Sequence, residues 1–124
     1  MRLSATLLLL ATAACASAQT ASKPIEIKVV VIAMFEQGAD TGDVPGEYQY
    51  WVEREHLSTI LPFPQGYHDL RINNDGVLGV VTGVGTARAA ATIMALGSDP
   101  RFDLTHAYFL VAGIAGIEDR KSVV

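Results

Sequence analysis

Residues 82–86, Thr-Gly-Val-Gly-Thr, are the stretch of this 124-residue sequence best suited to binding a ligand. Gly83 and Gly85 allow the backbone to turn sharply and leave N–H groups uncovered. The apolar run Val77–Val81 before the loop predicts a buried strand, and Thr86 is a suitable N-cap for a helix after it. Because free N–H groups at a helix N-terminus favour anions and sugar hydroxyls, we expect the loop to bind such a group.

The loop differs from the known phosphate-binding fingerprints. Arg88 stands where the dinucleotide fingerprint requires its third glycine, and no Walker A sequence is present. In the first helical turn, the positive charge of Arg88 opposes the helix dipole unless a negative group is nearby. The alternative interpretation is a solvent-exposed arginine on the polar face of the helix, together with Thr92.

The loop belongs to a predicted strand–helix–strand unit. The second strand is Tyr108–Val111, which we expect to be buried and to run into the small residues 112–116. This spacing predicts two neighbouring parallel strands with a right-handed crossover. Open α/β sheets bind ligands at the carboxyl ends of their strands, so we place the site where 82–86 and 112–116 meet. The buried face of the helix is predicted from apolar residues at helical spacing: Ala90, Ile93, Met94 and Gly97.

Glu36 is the carboxylate most directly placed by the pattern. It follows residues 27–34, the strongest strand in the sequence, whose near-continuous apolar run suits a central parallel strand. Glu36 therefore lies close to the carboxyl end of a strand. Its functional interpretation is an acid or an acceptor for a ribose hydroxyl, and the alternative is a solvated loop carboxylate.

A group of acidic residues follows: Asp40, Asp43 and Glu47. Oxygen ligands at such positions suggest a Ca²⁺ loop, but their spacing differs from the EF-hand, and a turn-rich solvated loop is the favoured interpretation. The three histidines also lack metal-ligand spacing. We predict neither a metal site nor a cofactor.

Residues 47–57 predict a helix that carries Tyr50 and Trp51. These aromatic rings could stack on a flat ligand, although aromatic residues at helical spacing more often belong to the core. Residues 61–69 contain two prolines and predict an irregular connection, and residues 73–76 predict a hairpin-type turn before the Val77 strand.

The N-terminus has the pattern of a signal peptide over residues 1–18. A positive start precedes an apolar core, and an A-x-A cleavage site ends at Ala18. We therefore expect an exported, soluble protein that is periplasmic or secreted. Removal of this segment would also remove Cys15, so the mature protein would have no disulfides. The mature chain would lose Arg2 and carry 8 basic and 13 acidic residues, a net charge of −5. Without a basic cluster, nucleic acids and anionic membranes are excluded as expected partners.

Five stretches of the sequence are considered together: KVVVIAMFE (28–36), YWVER (50–54), LPFPQGYHDL (61–70), TGVGTAR (82–88) and LVAGIAGI (110–117). Together they resemble the purine nucleoside permease family, which is itself similar to the nucleoside phosphorylase/hydrolase superfamily. The resemblance implies a three-layer α/β/α fold with a mostly parallel central sheet, here truncated because only three strands are found. It also implies binding of a purine nucleoside.

The resemblance implies a nucleoside site built from the turn after the first strand, the glycine loop and the last loop. Phosphorylases have an arginine and a serine in their last loop, where this chain has Val111 and Ile114. We therefore favour an exported nucleoside-binding component of uptake, and the alternative is an exported phosphorylase or hydrolase that cleaves the N-glycosidic bond. The implied nucleoside-binding residues are Glu36, Thr82, Gly83, Gly85, Arg88, Ala112, Gly113 and Ala115.

The resemblance ends at Glu118 and divides the chain into parts. Residues 19–118 are expected to be the N-terminal part of a nucleoside phosphorylase-like domain, and residues 119–124 a tail that is not native. Such a fragment would leave Tyr108–Val111 as an uncovered strand edge. For the full-length protein we expect a membrane transporter as a partner, and self-association into a homo-oligomer.

Overall fold

A computed structural model describes residues 22–113. The segments predicted as signal peptide (1–18) and tail (119–124), and the predicted site residue Ala115, lie outside the described residues. The elements in chain order are β1 (Ile25–Glu26), β2 (Val29–Ala33), α1 (Gln49–Arg54), β3 (Thr59–Leu61), β4 (Leu70–Ile72), β5 (Val77–Val81), α2 (Thr86–Gly97), β6 (Phe102–Asp103) and β7 (Tyr108–Val111).

Three parallel strands form the part of the main sheet that carries the predicted site. β2 pairs in parallel with β5 on one side and with β7 on the other, with Val29 opposite both Val77 and Tyr108. The sequence correctly predicts the two outer strands, but their predicted direct pairing is wrong, because β2 lies between them. Its near-continuous apolar sequence suits this central position.

The other side of the main sheet is antiparallel, which makes the sheet mixed rather than mostly parallel. The strand order is β3-β4-β5-β2-β7, and both β3–β4 and β4–β5 pair antiparallel. The predicted turn before β5 is confirmed, since Asn73 Oδ1 accepts the N–H groups of Asp75 and Val77, both at 3.0 Å. β1 and β6 form a separate two-stranded parallel sheet.

Two hydrophobic clusters cover the two faces of the main sheet. One contains Val30 and Val80 with Leu96 of α2, and the other contains Ala33 with Tyr48, which immediately precedes α1. Since successive strand residues point to opposite faces, these alternate positions place the two clusters on opposite sides of the sheet. Each helix thus covers one face near the parallel strands.

The buried face of α2 differs from the predicted one. Leu96 and Thr92 are buried, whereas Met94, predicted to be buried, is 70% exposed. Thr92 does not lie on a polar face as the sequence predicts, because its hydroxyl donates a hydrogen bond to Thr82 O over 3.3 Å. Five of the twelve residues of α2 are alanine, so apolar spacing identifies its face poorly.

β7 forms as predicted, but its predicted burial is wrong. All four residues, Tyr108–Val111, are exposed, with exposed fractions from 43% for Leu110 to 79% for Tyr108. β7 is an edge of the main sheet as described over residues 22–113, which agrees with the expected uncovered strand edge.

Candidate functional site

The carboxyl ends of β5, β2 and β7 lie at the same edge of the sheet because these strands are parallel. The segment after each outer strand is bonded to β2. Thr82 N donates to Ala33 O over 2.9 Å, and Ala112 N donates to Ile32 O over 2.8 Å. With neighbouring strands about 4.8 Å apart, the segments after β5 and β7 are separated by roughly 10 Å. The structure therefore brings the glycine loop together with Ala112 and Gly113.

Thr82 holds the glycine loop from inside. Its side chain is buried, and its hydroxyl lies 3.3 Å from Ala33 O and 3.1 Å from Gly83 O. Both are carbonyl oxygens that accept, so the hydroxyl proton is used within the protein. Thr82 thus positions the loop through these two contacts.

The outer part of the loop is open. Gly83 and Gly85 have φ angles of 78° and 103°, which lie in the region that favours glycine. Gly85, rather than the predicted Thr86, is the N-cap of α2, and no side chain caps the helix. A Cβ atom added at Gly85 would meet no atom of the described residues within 4 Å. The first N–H groups of α2 are therefore accessible at this edge.

Arg88 contacts an aromatic ring. Its Cζ atom lies 5.5 Å from the centroid of Tyr67, which belongs to the connection between β3 and β4. Both side chains lean on Gly83: a Cβ atom added there would lie 2.9 Å from the Tyr67 ring and 3.1 Å from Arg88 Cδ. Sequence reasoning missed Tyr67 because the proline-rich connection gives no periodicity to place its side chain.

Glu36 organises the segment that follows β2. Its carboxylate accepts the N–H groups of Gln37 and Tyr48 at 2.7 and 2.8 Å, and also those of Gly46 and Gln49. Partial burial alone would raise the pKa of Glu36, but these four donors outweigh it and lower the pKa below its ordinary value. Both oxygens of the Glu36 carboxylate therefore bind the backbone of this chain.

Glu47 lies between the ends of β2 and β7 and is not among the predicted site residues. Its Oε2 atom accepts the Met34 N–H over 2.9 Å. A Cβ atom added at Gly113 would approach Glu47 Oε2 and Met34 Cγ to 3.0 Å, so Gly113 packs closely against both side chains. The sequence signal for Glu47 is the acidic pattern of residues 40–47, which suggests a cation loop or a solvated turn rather than this contact.

The carboxylates considered for Ca²⁺ have separate partners. Asp40 pairs with Arg71 Nε at 2.5 Å and with His68 Nε2 at 3.5 Å, and Asp43 accepts the Ala39 N–H. Residues 22–113 contain no group of three His, Cys, Asp or Glu side chains that could hold a metal ion.

The aromatic residues of α1 form a separate surface groove. Tyr50 is 49% exposed and lies under Arg54, whose Cζ atom is 5.2 Å from the ring centroid. The groove is completed by Glu47, Trp51 and Glu55.

Comparison with known proteins places this chain in a family. Residues 26–124 match the family described as "Purine nucleoside permease (NUP)". The chain belongs to the purine nucleoside permease family. A purine nucleoside permease of Candida albicans is 34% identical over 112 residues, and a second is 33% identical over 106 residues. These alignments cover 86% and 82% of this chain, but 26% and 25% of the relatives.

A further relative matches a shorter part of this chain. A probable purine nucleoside permease of Schizosaccharomyces pombe is 55% identical over 38 residues, which are 31% of this chain and 11% of the relative. The chain thus spans about a quarter of the length of the Candida permeases. No solved structure matches the chain. Within residues 22–113, neither helix has the length and apolar character needed to cross a membrane.

Proposed function

We propose that this chain binds a purine nucleoside at the carboxyl edge of β5, β2 and β7 and takes part in nucleoside uptake. The observation that carries the proposal is the convergence at one edge of the loops after β5 and β7 with the Met34–Glu36 segment. The chain's family includes proteins named purine nucleoside permeases, which supports a purine nucleoside as the ligand.

The residues at this edge have different proposed roles. The backbone N–H groups at Gly85 and the start of α2 donate to ribose hydroxyls, since the helix N-terminus provides donors without internal partners, and the buried Gly83 forms the turn that leads to them. Thr82 and Glu36 hold the two loops in position through the hydrogen bonds described above. Ala112 and Gly113 form the opposite border of the site, and Ala115, which lies outside the described residues, stays a predicted site residue.

The environment of Glu36 favours binding over cleavage. A catalytic acid must carry a proton and release it to the leaving base. The Glu36 carboxylate accepts four backbone N–H groups and has a lowered pKa, so it is a poor proton donor. Val111, at the place of the phosphorylase arginine, is 65% exposed and apolar. These observations support a binding protein, and cleavage by a phosphorylase or hydrolase is the outcome that the test must distinguish.

The remaining properties are proposed for the whole protein. We propose export directed by residues 1–18, completion of a three-layer α/β/α domain by sequence beyond this chain, and a membrane transporter as partner. The apolar edge strand β7 gives a reason for expecting further strands or further copies of the chain to pair there.

The test combines calorimetry and chromatography on the 124-residue chain. Adenosine and guanosine are titrated, with uridine as the comparison, and each mixture is then analysed for free base with and without phosphate. The proposal predicts heat of binding for the purine nucleosides and no free base. Absence of binding would contradict it. Free base in both buffers would identify a hydrolase, and free base only with phosphate would identify a phosphorylase.

A further inference from the structure

Tyr67 and Arg88 form an aromatic ledge beside the glycine loop. The name denotes these two side chains and Gly83, on which both rest. The Tyr67 ring is kept in contact with the loop by the missing side chain of Gly83, since a Cβ atom there would lie 2.9 Å from the ring. Yet the residue remains 53% exposed. An aromatic ring that is both fixed and exposed at the edge of a site is suited to stacking.

The surroundings of Arg88 also favour stacking at this ledge. Ion pairs among residues 22–113 involve His68, Arg71 and Arg101, but not Arg88. Its guanidinium group instead lies over the Tyr67 ring, at 5.5 Å from the centroid. Cation–π contact is attractive, so the ledge holds two planar groups against each other.

We infer that the ledge is the base subsite: the purine ring of the nucleoside stacks on the face of the Tyr67 ring that Arg88 does not cover. Because Tyr67 contacts Gly83, a base on its ring leaves the ribose beside the N–H groups that follow Gly83. Stacking is tolerant of ring substituents, since every base has a π-face. The subsite therefore accepts adenine and guanine alike and favours them over the smaller pyrimidine ring. This inference rests on the proposed nucleoside binding and assigns its base recognition to one residue.

The chain provides a matched control in Tyr50. Tyr50 and Tyr67 are 49% and 53% exposed, and each lies under an arginine, at 5.2 and 5.5 Å respectively. Tyr50 belongs to the surface groove of α1, whereas Tyr67 contacts the glycine loop. Equivalent substitutions at the two positions thus remove similar surface interactions at different places.

The experiment measures adenosine, guanosine and uridine affinity by calorimetry for the 124-residue chain and its variants Tyr67→Leu, Tyr67→Phe and Tyr50→Leu. Loss of one stacking contact predicts purine affinity weakened about 5- to 150-fold in Tyr67→Leu. Tyr67→Phe retains the ring and Tyr50→Leu leaves the ledge intact, so both should bind like the original chain. Circular dichroism establishes that each variant folds.

The outcomes separate the two proposals. If the original chain binds no purine nucleoside, the proposed function fails and the base subsite fails with it. If the original chain binds but Tyr67→Leu binds equally well, the base subsite alone is wrong. A greater loss in Tyr50→Leu than in Tyr67→Leu would assign the base to the groove of α1 and overturn the inference. The expected result also includes a smaller purine-over-uridine preference in Tyr67→Leu.

Discussion

Replacing Glu36 by glutamine tests how the segment after β2 is held in place. Oε1 of Glu36 accepts the N–H groups of Gln37 and Gly46, and Oε2 accepts those of Tyr48 and Gln49. Glutamine has one acceptor oxygen and places an NH₂ group opposite the other pair of donors. Water can replace the acceptor at exposed Gln37, but Gly46 is partly buried, and the other two bonds lose the negative charge. We expect a loss of about 2–3 kcal/mol in the free energy of unfolding.

The assay for this prediction is urea unfolding followed by the fluorescence of Trp51, the single tryptophan of the sequence. Trp51 lies in α1, whose first residue, Gln49, donates its N–H group to Glu36. Glu26→Gln is the matched control because Glu26 is an exposed residue of β1. Equal stability of the two variants would refute the assigned role of Glu36.

Acid has a related effect on the original chain. The pKa of Glu36 is lowered from its ordinary value of 4.5, because four backbone donors outweigh the effect of burial. Its contribution to stability is therefore complete above pH 4.5 and is lost as the pH falls through the lower pKa of the folded state. The difference in unfolding free energy between the original chain and Glu36→Gln should shrink in that acidic range. A difference that stays constant down to about pH 2 would contradict this linkage.

Two further substitutions test the helix face and the glycine loop. Leu96→Ala should lower the free energy of unfolding by about 2–5 kcal/mol because Leu96 is buried. Met94→Ala should change it little because Met94 is 70% exposed. Urea unfolding measures both variants, and a larger loss in Met94→Ala would support the helix face predicted from the sequence. Gly85→Ala should weaken adenosine binding, measured by calorimetry, because the Gly85 φ of 103° is strained for alanine. Gly42→Ala is the control: Gly42 has a φ of 82° and equally open space, but it lies outside the site and should not affect binding. Equal affinities of the two variants would remove Gly85 from the site.

The strands with strong local patterns could be predicted from the sequence. Val77–Val81 and Tyr108–Val111 have the predicted bounds, because β-branched or aromatic runs bounded by turn residues identify strands well. β3 and β4 were missed because each has only three residues and the connection between them contains two prolines. Such short strands depend on the pairing of β3 with β4 and of β4 with β5, which a local pattern does not contain.

Strand order and side-chain direction required the structure. The position of β2 between β5 and β7 is determined by long-range strand pairing. The local strand–helix–strand pattern fits equally well with β5 and β7 as direct neighbours. In α2, abundant alanine makes the apolar pattern ambiguous, and the buried Thr92 hydroxyl bonded to Thr82 O could not be inferred from spacing. The sequence therefore located the helix but not its face.

The candidate site was predicted in its backbone more than in its side chains. The loops after β5 and β7 lie at the same sheet edge, with β2 between them, and the sequence predicted this shared edge. The four backbone donors around Glu36 come from residues up to 13 positions away, so its role could not be derived locally. The contact of Tyr67 with Gly83 similarly joins two separate connections.

The most direct test of nucleoside binding at the carboxyl edge is a nuclear magnetic resonance titration of the 124-residue chain with adenosine, observing backbone amide resonances. Binding there predicts shifts at Gly83, Gly85 and Gly113, at the carboxyl ends of the parallel strands. It predicts little change at Asn74 and Gly76, in the turn at the opposite end of β5. Shifts confined to that turn, or to the groove of α1, would contradict binding at the carboxyl edge.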